Sequence, residues 1–302
     1  MHELTIGAVS RNYFNMPLWV AQHRGFFQTE GLSVRIELIE GIDEVTQGLL
    51  SGDFQLILGV TEHVILDVER GGRSKIIGGN VNRLPFSLIA RPHIRTYQDL
   101  RGARIGVSSI EAGSSSLIMR LLEREGLQNP EDYTLVAVGP ILARWRMLQS
   151  GEIDAGLQGA PLNAIAVDAG FSDLGNPRDV FPDFQFTSLH VDGDWAGANE
   201  AVLRAFLRAF LRAHRFFFTD KAACTAIAVA ETGVEPRYAE RAWDEFTADA
   251  IFPRDARASA AAVQTLIEVS GLIRRLPNRL KASPADYIDH SWLEMAESDL
   301  GR

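Results

Sequence analysis

The chain has 302 residues, 46% hydrophobic and 23% charged, with 30 lysines and arginines against 39 aspartates and glutamates and a net charge of -9. That apolar content supports a sizeable core, the length suits two ordinary domains and disorder is excluded, while the acidic balance, without a basic run, argues against nucleic acid as a partner. A single cysteine, Cys224, rules out an intrachain disulfide, no Cys/His cluster has metal-site spacing, and no apolar stretch reaches the roughly 18 residues needed for membrane insertion.

In chain order, "LTIGAV" (4–9) reads as a strand and "NMPLWVAQHRG" (15–25) as a helix, with Pro17 in its first turn and Gly25 at its end. "LSVRIELI" (32–39) is the next strand, "IDEVTQGLLSG" (42–52) a helix and "FQLILG" (54–59) a strand. "TEHVILDVERGG" (61–72) opens on a potential Thr61 cap and closes on two glycines, before the strand "KIIGG" (75–79). "ARIGV" (103–107) then leads to "LIMRLLERE" (117–125), a helix whose N-cap and first turn fall on Ser114, Ser115 and Ser116. One serine is explained by capping; three leave hydroxyls for either the backbone or an anion at the helix start. The alternation predicts parallel α/β architecture.

The pattern recurs. Residues 34–59 and 133–159 both read strand, glycine, helix, Ser-Gly with an acid, strand, and their Ser-Gly pairs at 51–52 and 150–151 lie 99 residues apart. Two similar lobes are expected. The first holds both termini, over 1–89 and 188–302, and the second is inserted over 90–187, with crossing strands near 84–91 and 184–190. After the second crossing the chain turns mainly helical, from "NEAVLRAFLRAFLRAHRFF" (199–217). There Arg204, Arg208 and Arg212 recur every four residues opposite Phe206, Leu207, Phe210 and Leu211, which predicts an amphipathic helix with a solvated cationic face.

"PLWVAQHRGFFQTEGLSVRIELIEG", "GLLSGDFQLILG", "DLRGARIGVSS", "MLQSGEIDAGLQGAP", "VLRAFLRAFLRAHRF" and "YIDHSWLEMA" together resemble the nitrate/sulfonate/taurine class of ABC-transporter solute-binding proteins, over nearly the whole chain. The resemblance implies a two-lobed type II periplasmic-binding-protein fold, lobes joined by two crossing strands and closing by hinge bending over a small ligand. The same superfamily includes thiamine-pyrimidine synthases, a sulfinate desulfinase and dihydroxyphthalate decarboxylases, so an enzyme stays open. This chain departs from two of those: the desulfinase's cysteine position holds Asn15 and Met16, and the synthases' cysteine-rich segment is missing.

In open α/β sheets ligands lie beyond the carboxyl ends of the strands. That rule selects Tyr13, Phe14 and Asn15; Val60 and Thr61; Asn80, Asn82 and Arg83; Ser108, Gly113, Ser114, Ser115 and Ser116; and Gln158. Converging helix starts favour an oxyanion, and Tyr13, Phe14 and Trp145 suit either an organic group or plain packing. Arg83 suits either the anion or a surface salt bridge. Glu62 and His63 form an acid/base candidate, set against a structural histidine; Cys224 reads as a small buried hydrophobe. The expectation is a monomer that binds a small organic anion, of sulfonate or carboxylate type, without cofactor or metal, and presents it to an ABC permease. The alternative is a lyase of decarboxylase type using the same cleft. "MHELTIGAV" at the start has no secretory-signal pattern, so the expected location is cytoplasmic if Met1 is the native start and periplasmic if a signal peptide has been removed.

Overall fold

The computed structural model describes residues 1–110, 114–270 and 283–301. Strand β1 (His2–Val9) is followed by a single turn of 3-10 helix over 13–15, then α1 (Met16–His23) and α2 (Phe26–Thr29). Next come β2 (Leu32–Ile39), α3 (Ile42–Ser51), β3 (Leu56–Val60), α4 (Glu62–Glu69) and β4 (Ser74–Val81). β5 (Phe86–Ala90), β6 (Arg104–Val107), α5 (Ser114–Arg124), β7 (Thr134–Ala137), α6 (Ile141–Ser150), β8 (Ala155–Gly159), α7 (Leu162–Asp168) and β9 (Ser172–Asp173) follow. β10 (Thr187–Asp192) then leads, among the described residues, into six helices: α8 (Gly193–Ala198), α9 (Glu200–Phe217), α10 (Lys221–Thr232), α11 (Pro236–Ala248), α12 (Ala260–Ser270) and α13 (Ser291–Leu300).

Two five-stranded sheets result, ordered β2-β1-β3-β10-β4 and β7-β6-β8-β5-β9. In each, three parallel strands are joined by helices, and the fourth place is taken by an antiparallel strand that has just crossed from the other sheet. The chain leaves the first sheet at Val81 and joins the second at Phe86, a few residues before the boundary expected at 90; it returns at Thr187. Backbone groups freed by one sheet are paired by the next almost at once, because an unpaired buried peptide is costly.

The repeat seen in the sequence extends to hydrogen-bond register. Ile6 is opposite Leu56 and Gly7 opposite Ile57 in the first sheet; Ile105 is opposite Ala155 and Gly106 opposite Gly156 in the second, each 99 residues on. α3 and α6 both end on a glycine in the left-handed region, Gly52 at φ 84° and Gly151 at φ 81°, where a side chain would be strained.

α9 packs on α1, α2, β2 and α13, while α11 and α12 reach α7 and α5 of the second lobe, and one contiguous apolar core runs through both lobes. The arginine stripe on α9 is a clamp. Arg208 bonds Glu30 at 2.7 Å and Asp299 at 3.1 Å, Arg204 reaches Asp299 at 2.6 Å and Arg212 lies 3.3 Å from Glu30, so the expected solvated face instead ties α9 to α2 and α13. Cys224 is buried on α10, and burial pushes its thiol up to about 12, as suits a packing residue.

Candidate functional site

The turn after β1, the ends of β3, β4 and β6, the start of β10 and the first turn of α6 converge on a narrow cleft between the sheets, with a cavity of about 30 Å³. Its walls follow the repeat: Val9 and Ile42 from the first lobe face Ser108 and Ile141, their equivalents 99 residues on. Phe14 and Phe186 form an apolar floor with Phe86 behind them, all three meeting edge to face at 4.9–6.1 Å.

Two asparagines shape the turn. Asn12 accepts from the Phe14 amide at 2.9 Å and donates to the Val9 carbonyl at 2.8 Å, while Asn15 donates to the Ser10 carbonyl at 2.7 Å. Asn80, fully buried on β4, donates to the Phe14 carbonyl and to Thr187 Oγ1, both at 3.0 Å, and its Oδ1 meets no donor among the described residues.

The cleft's one charged lining residue, among the described residues, is Arg144 on α6. It is 1% exposed, and no carboxylate lies within salt-bridge reach among those residues. Its Nη1 donates to the Leu157 carbonyl, and Nη2 donates to Ser108 Oγ at 3.3 Å and the Gly139 carbonyl at 3.4 Å; Nε has no partner among the described residues. Burial alone pulls the guanidinium down to about 10, so it stays protonated at neutral pH as an uncompensated buried cation. Space for it comes from two glycines. A Cβ on Gly156 would lie 2.6 Å from Arg144 Cδ, and one on Gly106 3.1 Å from Cγ.

The structure brings Phe14, Asn15, Val60, Asn80 and Ser108 together on the cleft wall. Tyr13 turns into the core against Phe246, 4.9 Å away, and Thr61 bonds Ser188 Oγ at 2.9 Å beneath the surface. Asn82 donates to the Arg257 carbonyl at 2.8 Å, and Arg83 donates to the Asp249 carbonyl at 3.2 Å, 3.6 Å from Asp183; both brace the crossings. Ser114 Oγ accepts from the Ser108 amide at 2.9 Å and pairs with its hydroxyl, while Ser115 donates to the Ile110 carbonyl at 3.0 Å. Ser116 is buried in α5 away from the cleft wall, and Gly113 lies outside the described residues. The serine cluster thus fastens the loop that carries Ser108. Gln158 is buried on the sheet face that carries Arg144, as strand alternation from Gly156 requires. Trp145 packs on Phe171 at 5.1 Å.

Glu62 is buried at the start of α4, and His63 opens on a separate groove with Asp43 and Thr46. There its Nδ1 is 2.6 Å from Thr46 Oγ1 and its Nε2 3.3 Å from Asp43. The cleft lining contains no carboxylate, histidine or cysteine among the described residues.

Arg144 is missing from the sequence-based selection, although a signal for it was present. In "PILARWRMLQ" it shares a helix face with Ile141 and Leu148, and in the repeat it stands opposite Val45, a core position.

A family model described as "NMT1/THI5 like" matches residues 12–222. The chain is 28% identical over 168 residues to a 4-amino-5-hydroxymethyl-2-methylpyrimidine phosphate synthase of Schizosaccharomyces pombe, covering 55% of this chain and 47% of that protein. It therefore spans about half the length of the curated relatives it matches. Among solved structures it is similar to a protein from Bordetella bronchiseptica RB50, with TM-score 0.84 and 19% identity over 100% of this chain and 99% of that one. It is also similar to the alkanesulfonate-binding protein SsuA from Xanthomonas axonopodis pv. citri bound to MOPS, with TM-score 0.78 and 18% identity over 96% and 98%. These likenesses establish the two-lobed periplasmic-binding-protein fold.

Proposed function

The chain belongs to the NMT1/THI5-like family, and on that premise we propose that its cleft captures a small organic anion, of sulfonate or carboxylate type, and presents it to an ABC permease. The observation that carries this reading is Arg144, a buried cation in the cleft wall without a carboxylate partner among the described residues. A buried charge is costly unless something of opposite sign meets it, and here a ligand does so. Ser108, held by Ser114 and touching Arg144 Nη2, adds a hydroxyl beside the anion. The likeness to an alkanesulfonate-binding protein supports the same ligand class. Hinge closure about the crossings at 82–85 and 174–186 completes the reading.

The test is calorimetric titration of the purified chain with alkanesulfonates and aromatic carboxylates, for wild type and Arg144→Leu. Binding that weakens about 100-fold in the variant supports the proposal, since a charge-assisted contact contributes about 1.5–3 kcal/mol. Equal affinity in both proteins overturns it.

A second reading, an enzyme acting in the same cleft, is favoured by the synthase names of the curated relatives. Prolonged incubation with a bound anion, followed by chromatography, separates the two. A binding protein returns the ligand unchanged, whereas a new product that disappears with Arg144→Leu establishes the enzyme.

A further inference from the structure

Among the described residues, the cleft leaves unpaired polar atoms of opposite kind on its two lobes. Arg144 Nε, on α6, is a donor carried by a cation; Asn80 Oδ1, on β4, is a neutral acceptor. The orientation of the Asn80 amide is fixed, because flipping it would set its oxygen against the carbonyl oxygen of Phe14, where the Asn80 nitrogen now donates at 3.0 Å. The second bond, to Thr187 Oγ1, holds the same rotamer. Oδ1 is therefore presented by two hydrogen bonds that do not use it. Buried acceptors in native proteins are nearly always paired, and on a cleft wall the remaining source of a donor is what fills the cleft. A carboxylate or sulfonate oxygen cannot supply one: it is acceptor-only, and against Asn80 Oδ1 it would be repelled. The anionic head must then lie toward Arg144. Between the two ends the walls are apolar, with Phe14, Ile42, Val60, Ile141 and Phe186.

Resting on the anion-binding reading above, we propose that the ligand is a two-ended organic anion whose charged head meets Arg144 and whose other end donates a hydrogen bond, from a hydroxyl, amine or ring N–H, to Asn80 Oδ1 across an apolar stem. Asn80 is then the residue that selects among anions. A simple alkanesulfonate leaves its oxygen buried and unpaired, and a site built to pair with a donor rejects an analogue that lacks one.

The test uses matched pairs on the full chain: ω-hydroxyalkanesulfonates against alkanesulfonates of the same chain length, and 4-hydroxybenzoate against benzoate, titrated into wild type and Asn80→Ala. In at least one pair the donor-bearing anion should bind wild type about tenfold or more tightly, and Asn80→Ala should bring the two members within about threefold. If Asn80→Ala does not fold, the wild-type pairs decide alone, with Asn80→Asp as the second variant; its added charge should shift preference toward ω-aminoalkanesulfonates. Arg144-dependent binding without donor preference in any pair, or a preference that survives Asn80→Ala, overturns this inference and leaves anion binding standing. Failure of all these anions to bind overturns both.

Discussion

In the first lobe Val45 fills the space between α3 and its sheet, packed with Leu49, Phe54 and Ile57. In the second lobe the residue 99 positions on is Arg144, and the place of Ile57 is taken by Gly156. The strand pairings, helix ends and C-terminal glycines of the two units otherwise correspond. Two exchanges at one layer, a branched aliphatic for an arginine and another for a glycine, turn an apolar packing unit into one that holds a cation at the cleft wall. The scaffold tolerates this because the arginine stem occupies volume released by the glycine, so close packing is retained. The lobes also bury different titrating groups. His190 and His214 belong to the first, where burial pulls them down to about 3 and about 4 and keeps both neutral.

The sharpest way to break this comparison is to force the second lobe's charge on the first. Val45→Arg meets Ile57 where Arg144 meets Gly156, and it buries an unpaired cation; it should cost about 4 kcal/mol or more in urea unfolding. A loss below about 1 kcal/mol would mean that the glycine is not what makes room for Arg144.

The second test is acid against alkali. His190 and His214 have folded-state values below the unfolded value of roughly 6.5, so the unfolded chain binds more protons between those limits. Stability should be full above about pH 6.5 and fall by ~3 kcal/mol or more as pH drops toward 3–4. Repulsion from His63 deepens the effect at His190, while Asp255 moderates it at His214. Anion affinity should behave in the opposite sense. It stays level across neutral pH and declines as pH rises through about 10, where unliganded Arg144 loses its proton. Melts and titrations over pH check both limbs, and affinity lost between pH 7 and 9 would remove Arg144 as the counter-ion.

A third, smaller effect concerns stability without ligand. Arg144→Leu replaces an unpaired buried cation by an apolar side chain, so the unliganded protein should gain about 1 kcal/mol even as it loses the anion. A clear loss in thermal melts would show that the bonds to the Leu157 and Gly139 carbonyls outweigh desolvation.

A last, paired test lies in two glycines. An added methyl at Gly156 lands on the arginine, so Gly156→Ala should weaken anion binding about tenfold, whereas Gly7→Ala, which meets Phe54, should cost ~1–2 kcal/mol of stability and leave affinity unchanged.

Strand and helix alternation, the 99-residue repeat and the glycine-terminated helices were legible in the sequence, because each depends on local periodicity and backbone freedom that neighbouring residues impose. The same information brought Phe14, Asn15, Val60, Asn80 and Ser108 near the cleft, since strand ends are local features too. It could not tell that Ser114 would be spent fastening Ser108, that Thr61 would turn to Ser188, or that the α9 arginines would find Glu30 and Asp299, partners 91 to 182 residues away on other elements. Arg144 shows the division most plainly. Its helix and its place on the apolar face follow from sequence spacing, but its role depends on two glycines from different strands making room and on the lack of a carboxylate within reach among the described residues. Burial and the identity of neighbours across a sheet are properties of the packed whole, and tertiary structure alone decides them.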